Sequence, residues 1–237
     1  MTRRAVLLDE TVDVVEALPE LHDAVPKERL SAARRTLRAR AMTVRRGRWN
    51  AREDADQLLQ GGCGFLILEG ALIRCVTVAH RTSGELLGTG DVVLPGHDLY
   101  EDGQFTSYYR AISEVRLAVL DARFTRAAAL VPEIVPTLLA SMTRRAGTVS
   151  RQLVIVQSQS VETRILVTLN YLAERWGVVT VDGIVLPEFL SHGTLALLLG
   201  ARRPSVTSAM VRLTERGEIE RREDGRWLLG RRIAAVA

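Results

Sequence analysis

Between Ser191 and Gly217 the chain reads SHGTLALLLGARRPSVTSAMVRLTERG, its most specific stretch. Leu195 and Leu199 recur at helical spacing up to Gly200, which permits a turn, and Pro204 suits the first position of a second helix, where no donor is lost. Ala196 is small where two such helices would touch, and Val206, Met210 and Leu213 complete a shared apolar face. Helix, short glycine turn and helix make the helix-turn-helix plan. With that face inward, Arg202, Arg203, Ser205, Thr207, Ser208 and Arg212 are expected on the reading surface. An arginine fork can grip guanine O6 and N7, and a serine adapts to base or phosphate.

Working outward, Asp224-Gly225 between Ile219–Arg221 and Trp227–Leu229 is a strong hairpin signal. With Arg221, Arg222 and Arg226 around it, the hairpin reads as a wing that touches the phosphate backbone. Asp182-Gly183 marks a second hairpin within Val178–Leu186. Upstream of it, Ser160 is an N-cap and Gly177 a C-cap for a helix that turns Ile165, Leu166, Leu169, Leu172, Ala173 and Trp176 inward. The polar break Gln157–Ser160 reads as a hinge.

Before that break, Leu139, Met142, Ala146, Val149, Leu153 and Val156 recur at steps of three and four. A stripe of this period is the seam of a helix pair, and these residues are the expected dimer interface. A single helix packed on its own β domain would show the same stripe. Arg144, Arg145, Ser150, Arg151 and Gln152 fall on the polar side in either case.

From Arg38 to about Asp121 the texture is short-stranded and broken by glycines, the mark of an all-β unit. Phe65–Leu68 and Leu72–Val78 flank Glu69-Gly70-Ala71 as two strands joined by a tight turn would. Val115, Leu117 and Val119 alternate with Arg116, Ala118 and Leu120, the period of a half-buried strand. The fold class is therefore α+β. Residues 1–122 form a jelly-roll-like β-roll with an N-terminal helical segment, 123–158 a dimerisation helix region and 159–237 a winged helix-turn-helix.

Composition bounds the function. The 237 residues are 47% hydrophobic and 25% charged, which excludes wholesale disorder. The formal charge is only +4, yet the pI is about 9.6, because every basic residue except Lys27 is arginine. Arginine suits phosphates and base edges, and a GC-rich coding bias would give the same count, so position must decide. Cys63 and Cys75 are too few for a disulfide framework or an iron–sulfur cluster. No apolar run approaches a membrane span, and the start lacks a signal-peptide core, so a cytoplasmic protein is expected.

The sequence resembles the Crp/Fnr family of bacterial transcription regulators, from about Leu37 to Leu229. The resemblance rests on Leu87-Gly88-Thr89-Gly90-Asp91, the strand region Tyr109–Asp121, the heptad helix and the segment beginning at Gly200. It implies a homodimer on a near-palindromic operator, with duplex DNA and RNA polymerase as partners. Arg203 matches the family's principal recognition arginine, with Arg202, Ser205 and Ser208 at neighbouring base-facing positions. Thr194, and less specifically His192, match backbone-contacting ones. Pro204 replaces the glutamate common in the family.

The sensor departs from the family. Cyclic-nucleotide binders follow Gly-Asp with a Gly-Glu pair and later use an arginine against the cyclic phosphate; here Gly90-Asp91 leads to Val92-Val93-Leu94-Pro95, and the arginine segment reads Phe105-Thr106-Ser107. Gly84-Glu85 precedes the Gly-Asp turn and is set aside as a substitute. The effector pocket, if formed, involves Val92, Leu94, Phe105, Thr106, Ser107 and Arg110. No cofactor is expected: cyclic AMP, haem (through Cys75, His80 or His97) and an iron–sulfur cluster are all disfavoured. The alternatives are a cyclic-nucleotide-responsive regulator with a non-standard pocket, a roll that holds a partner protein, and an enzyme using His80, His97, Asp98, Glu101 and Asp102. No nucleophile–base spacing or metal motif organises those residues, so no enzyme is expected.

Overall fold

The computed structural model of the chain describes residues 5–95 and 105–230, which leaves His97, Asp98, Glu101 and Asp102 outside the described residues. The chain forms two compact units. One holds the residues through Arg81 together with Glu85–Thr148, and the other holds Thr82–Gly84 together with the residues from Val149 onward.

In the first unit, β1 (Ala5–Asp13) leads into three short helices, α1 (Val14–Ala17), α2 (Pro19–Ala24) and α3 (Lys27–Thr36). Asp13 begins the series because its carboxylate accepts from the backbone N–H of Val15 at 3.0 Å and of Glu16 at 3.2 Å. There follow β2 (Arg38–Val44), β3 (Gly47–Trp49), α4 (Ala51–Leu58), β4 (Gly64–Glu69), β5 (Ala71–Val78) and β6 (Arg81–Gly88). The roll is completed by β7 (Val92–Val93), β8 (Phe105–Ala111) and β9 (Val115–Leu120).

The strands make two sheets, ordered β1-β2-β9-β4-β7 and β3-β8-β5-β6. Met42, Val44, Phe65, Ile67, Leu117 and Val119 of the first sheet share a buried core with Trp49, Leu72, Tyr109 and Ala111 of the second. The Trp49 ring sits 5.4 Å from Phe65 and 5.9 Å from Tyr109, filling the middle of that core.

Three local expectations are corrected. β4 and β5 are joined by a tight turn but lie in different sheets, so the turn is a crossing between layers and not a hairpin. Gly70 makes it possible with φ of +85° and a backbone so close to Glu114 that a Cβ would stand 2.2 Å from its carbonyl oxygen. Second, β9 is buried on both faces: Val115, Leu117 and Val119 enter the inter-sheet core, while Ala118 and Leu120 pack with Val14, Leu21, Leu37 and Phe124 of the helical layer. The N-terminal helices supply the cover that a half-buried strand lacks. Third, the all-β stretch is interrupted by α4, which Asn50 caps by accepting from the N–H of Glu53.

The first unit continues through α5 (Ala122–Ala128), capped by Asp121, into α6 (Ile134–Gln157). The second unit takes in the later turns of α6, from Val149. The heptad stripe is turned outward: Leu139 and Leu153 are 58% and 61% exposed, Met142, Ala146 and Val149 are also exposed, and Val156 is half-buried. The reading in which this stripe packs on the protein's own β domain is thereby set aside among the described residues.

In the second unit, α7 (Val161–Trp176) starts at the Ser160 cap and ends at Gly177. The hairpin β10 (Val178–Val179) and β11 (Gly183–Val185) precedes α8 (His192–Leu199) and α9 (Arg203–Glu215), and β12 (Ile219–Arg221) and β13 (Trp227–Gly230) close the unit. These strands form one sheet, ordered β10-β11-β13-β12. Among the described residues no helix is long and apolar enough to cross a membrane.

Candidate nucleic-acid interface

Ser191 starts α8 by accepting from the N–H of Thr194 at 3.1 Å. The helix ends at Gly200, whose φ of +58° is the left-handed turn that lets the chain fold back into α9. Leu195, Leu199, Val206, Ala209, Met210 and Leu213 are all buried, and α9 packs against α7, α8 and β12. The core of the helix-turn-helix is thus closed, and its orientation fixes which side chains face water.

Arg202, Arg203, Ser205 and Ser208 are exposed, and none has a side-chain partner among the described residues. Arg202 occupies the N-cap position of α9 without a side-chain cap, so the first backbone N–H groups of this helix, Pro204 excepted, are also open. Two uncommitted guanidiniums at the positive end of a helix make a site for anions and for base-edge acceptors.

The other expected contact residues are committed within the protein. Thr194 is buried and its hydroxyl donates to the carbonyl of Phe189 at 3.3 Å, which corrects its expected place on the surface: it helps start the helix. Thr207 is half-buried and hydrogen-bonded to His192 Nδ1 at 3.1 Å. Arg212 is exposed but ion-paired with Glu162 of α7, which also takes Arg216 at 2.7 Å. These two arginines hold the Glu162 carboxyl below its usual range, Arg212 first.

At the wing, Arg226 closes on Asp224, Nη2 to Oδ2 at 2.8 Å, and Arg222 lies 3.4 Å from the same oxygen. The Asp224 carboxyl is pulled down to about 2, first by the backbone N–H of Arg226 and then by its guanidinium. Arg221 instead lies over the Trp227 ring, 4.7 Å from its centre.

His192, expected at a backbone-contacting position, has a different place, and Val211 has no counterpart among the expected residues. His192 joins the two helices and the wing, since its ring bonds Thr207 and stacks on Trp227 with centres 5.9 Å apart. Val211, 50% exposed, stands on the outer face of α9 three residues after Ser208, a helical spacing that could have found it.

Of the six residues expected around an effector, Val92, Leu94, Thr106, Ser107 and Arg110 do not converge. Val92 and Leu94 pack with the helical layer, on the side of β7 away from the inter-sheet core. Along β8, Tyr109 points into that core, so the pleat places Ser107 on its side and Thr106 and Arg110, both exposed, on the other. Phe105 pairs with Val78 in the β5–β8 ladder. A buried ion pair of this unit lies elsewhere: Glu85 is gripped by Arg145 of α6, with Arg74 at 3.7 Å. Arg145, placed on the polar side of the helix from sequence, is thus turned into the unit. Cys75 is buried opposite Tyr108, and burial pushes its thiol up. Among the described residues no group of three or more His, Cys, Asp or Glu side chains could hold a metal ion.

No known family profile matches the sequence, and no curated protein matches it. Solved structures do. A CRP/FNR-family transcriptional regulator from Thermus thermophilus is 18% identical, with a TM-score of 0.53, over 82% of this chain and 98% of that one. A mutant of CooA from Carboxydothermus hydrogenoformans is 16% identical, with a TM-score of 0.58, over 94% and 93%. FixK2 from Bradyrhizobium japonicum is 15% identical, with a TM-score of 0.57, over 81% and 92%. The chain has the Crp/Fnr fold.

Proposed function

We propose that this protein is a transcription regulator that binds duplex DNA as a homodimer. The observation that carries the reading is the pair Arg202 and Arg203, exposed and unpaired among the described residues at the uncapped start of α9. Each α9 enters a major groove by its N-terminal end, where Arg202, Arg203, Ser205 and Ser208 meet base edges and phosphates. The wing arginines lie beside the groove, with Arg226 partly neutralised by Asp224. The outward stripe of α6 supplies the apolar seam for a second copy, and the two-fold symmetry of such a pair calls for a near-palindromic operator. RNA polymerase is the partner this reading implies, and it assigns no effector.

Selection of duplexes from a random pool by the purified chain tests the reading. It predicts an inverted repeat with half-site centres about 10 bp apart or a multiple of that. A pool that stays random, or a single unrepeated motif, would overturn it.

A further inference from the structure

Away from α9, the first unit holds a cavity of about 220 Å³ at the end of α3 and the starts of β2 and α5. Arg35, Arg38, Arg40 and Arg123 line it, with Thr11 and a single carboxylate, Asp121. That carboxylate is already engaged: Oδ1 accepts from the N–H of Phe124 at 2.9 Å and Oδ2 from Arg40 at 3.1 Å. Thr11 holds Arg38 along the wall through its hydroxyl and its carbonyl, both at 3.0 Å. Arg35 donates to Ser31 at 2.8 Å, and Arg123 has no partner among the described residues.

Elsewhere in this unit several arginines each meet a carboxylate, as in Arg29–Glu133, Arg34 with Asp13 and Glu16, and Arg116–Glu10, and Arg74 and Arg145 share Glu85. Here four arginines line the cavity with one carboxylate, and Arg40 is the one bonded to it. Arginine cannot relieve the excess by losing a proton, and since Arg35, Arg38 and Arg123 are exposed, water screens it until an anion with fitting oxygens takes that water's place.

We infer that this cavity binds a small phosphate-bearing anion. Its volume is below the roughly 300 Å³ at which pockets for larger ligands begin. Its forks come from α3, β2 and α5, so the ligand they suit offers oxygens in several directions, as a phosphoryl or pyrophosphoryl group does and a single planar carboxylate does not. The inference is independent of the DNA-binding reading, and its test uses no DNA in the main arm.

The experiment is calorimetric titration of the full chain with pyrophosphate and, separately, ADP. Arg35→Ala and Arg123→Ala leave the Arg38–Thr11 and Arg40–Asp121 bonds in place, and unchanged melting curves confirm that the variants fold. The expected result is saturable binding of one pyrophosphate per chain, weakened about tenfold by either variant and unchanged by Arg126→Ala on the same helix. Equal affinity for ADP identifies the phosphates as the recognised part and supports the inference, whereas markedly tighter ADP binding would place recognition on the nucleoside and overturn it. No saturable heat, an equal loss in Arg126→Ala, binding of polyglutamate but not pyrophosphate, or an effect of the variants on duplex DNA alone would overturn it.

Discussion

The guanidinium of Arg145 forks onto the carboxylate of Glu85, Nε to Oε1 at 2.5 Å and Nη2 to Oε2 at 2.9 Å. Glu85 is buried, with Arg74 3.7 Å from its Oε2. Burial works against the charge on Arg145, but the Glu85 carboxylate raises its pKa above the ordinary arginine value. A β6 residue and an α6 residue are thereby fixed to each other inside the first unit.

Removing one partner strands the other. Arg145→Ala is expected to destabilise the first unit by about 3 kcal/mol, toward the low end for a broken buried pair because Arg74 remains near Glu85. Replacing both, Glu85→Leu with Arg145→Met, should restore most of that loss. Denaturant unfolding followed by fluorescence of a variant that keeps Trp49 alone reads the unit concerned, and a double variant as unstable as the single one would contradict the assignment.

Asp224 restrains the wing. Asp224→Asn frees the guanidinium of Arg226 and relaxes Arg222, so non-specific DNA binding at low salt should tighten, and the salt slope should steepen by about 1. Anisotropy titrations at several salt concentrations measure both, and weaker binding by the variant would show that Asp224 positions the wing more than it neutralises it.

His192 gives the second unit a pH dependence of definite sign. Burial, then the charges of Arg221 and Arg203, lowers its pKa from the ordinary 6.5, so the folded chain takes up a proton less readily than the unfolded one. Stability is complete above that ordinary value and falls as pH drops through it toward the lower folded value. Melting of the second unit between pH 7 and 5 should show this loss, and His192→Gln, which can still bond Thr207, should flatten it. An unchanged slope in the variant would assign the effect to another group.

Leu139 and Leu153 are exposed in the single chain, so Leu139→Glu with Leu153→Glu should barely alter its folding while abolishing pairing of α6 helices. Light scattering after size exclusion is expected to give a dimer for the natural chain and a monomer for the variant. A variant that remains dimeric would place the seam elsewhere.

The winged helix-turn-helix was legible because its signals are local: Gly200, Pro204, the Asp224-Gly225 turn and an apolar face of fixed period all lie within one short segment. The roll was less so. That β4 and β5 lie in different sheets depends on where Gly70 meets Glu114, and that β9 is covered twice depends on helices far away in sequence. At the interface, periodicity placed Arg212 on the outer side of its helix, but only the fold brings Glu162 to it. Arg145 was assigned to the solvent side because residue type and period carry no sign of a buried carboxylate on another strand.

The most direct measurement compares Arg203→Ala with the natural chain on two duplexes, one selected by the protein and one scrambled, at a single salt concentration. Because Arg203 has no partner among the described residues at the start of α9, the variant should lose about 1–3 kcal/mol on the selected duplex and little on the scrambled one. Equal losses on both would contradict the claim that the start of α9 reads sequence.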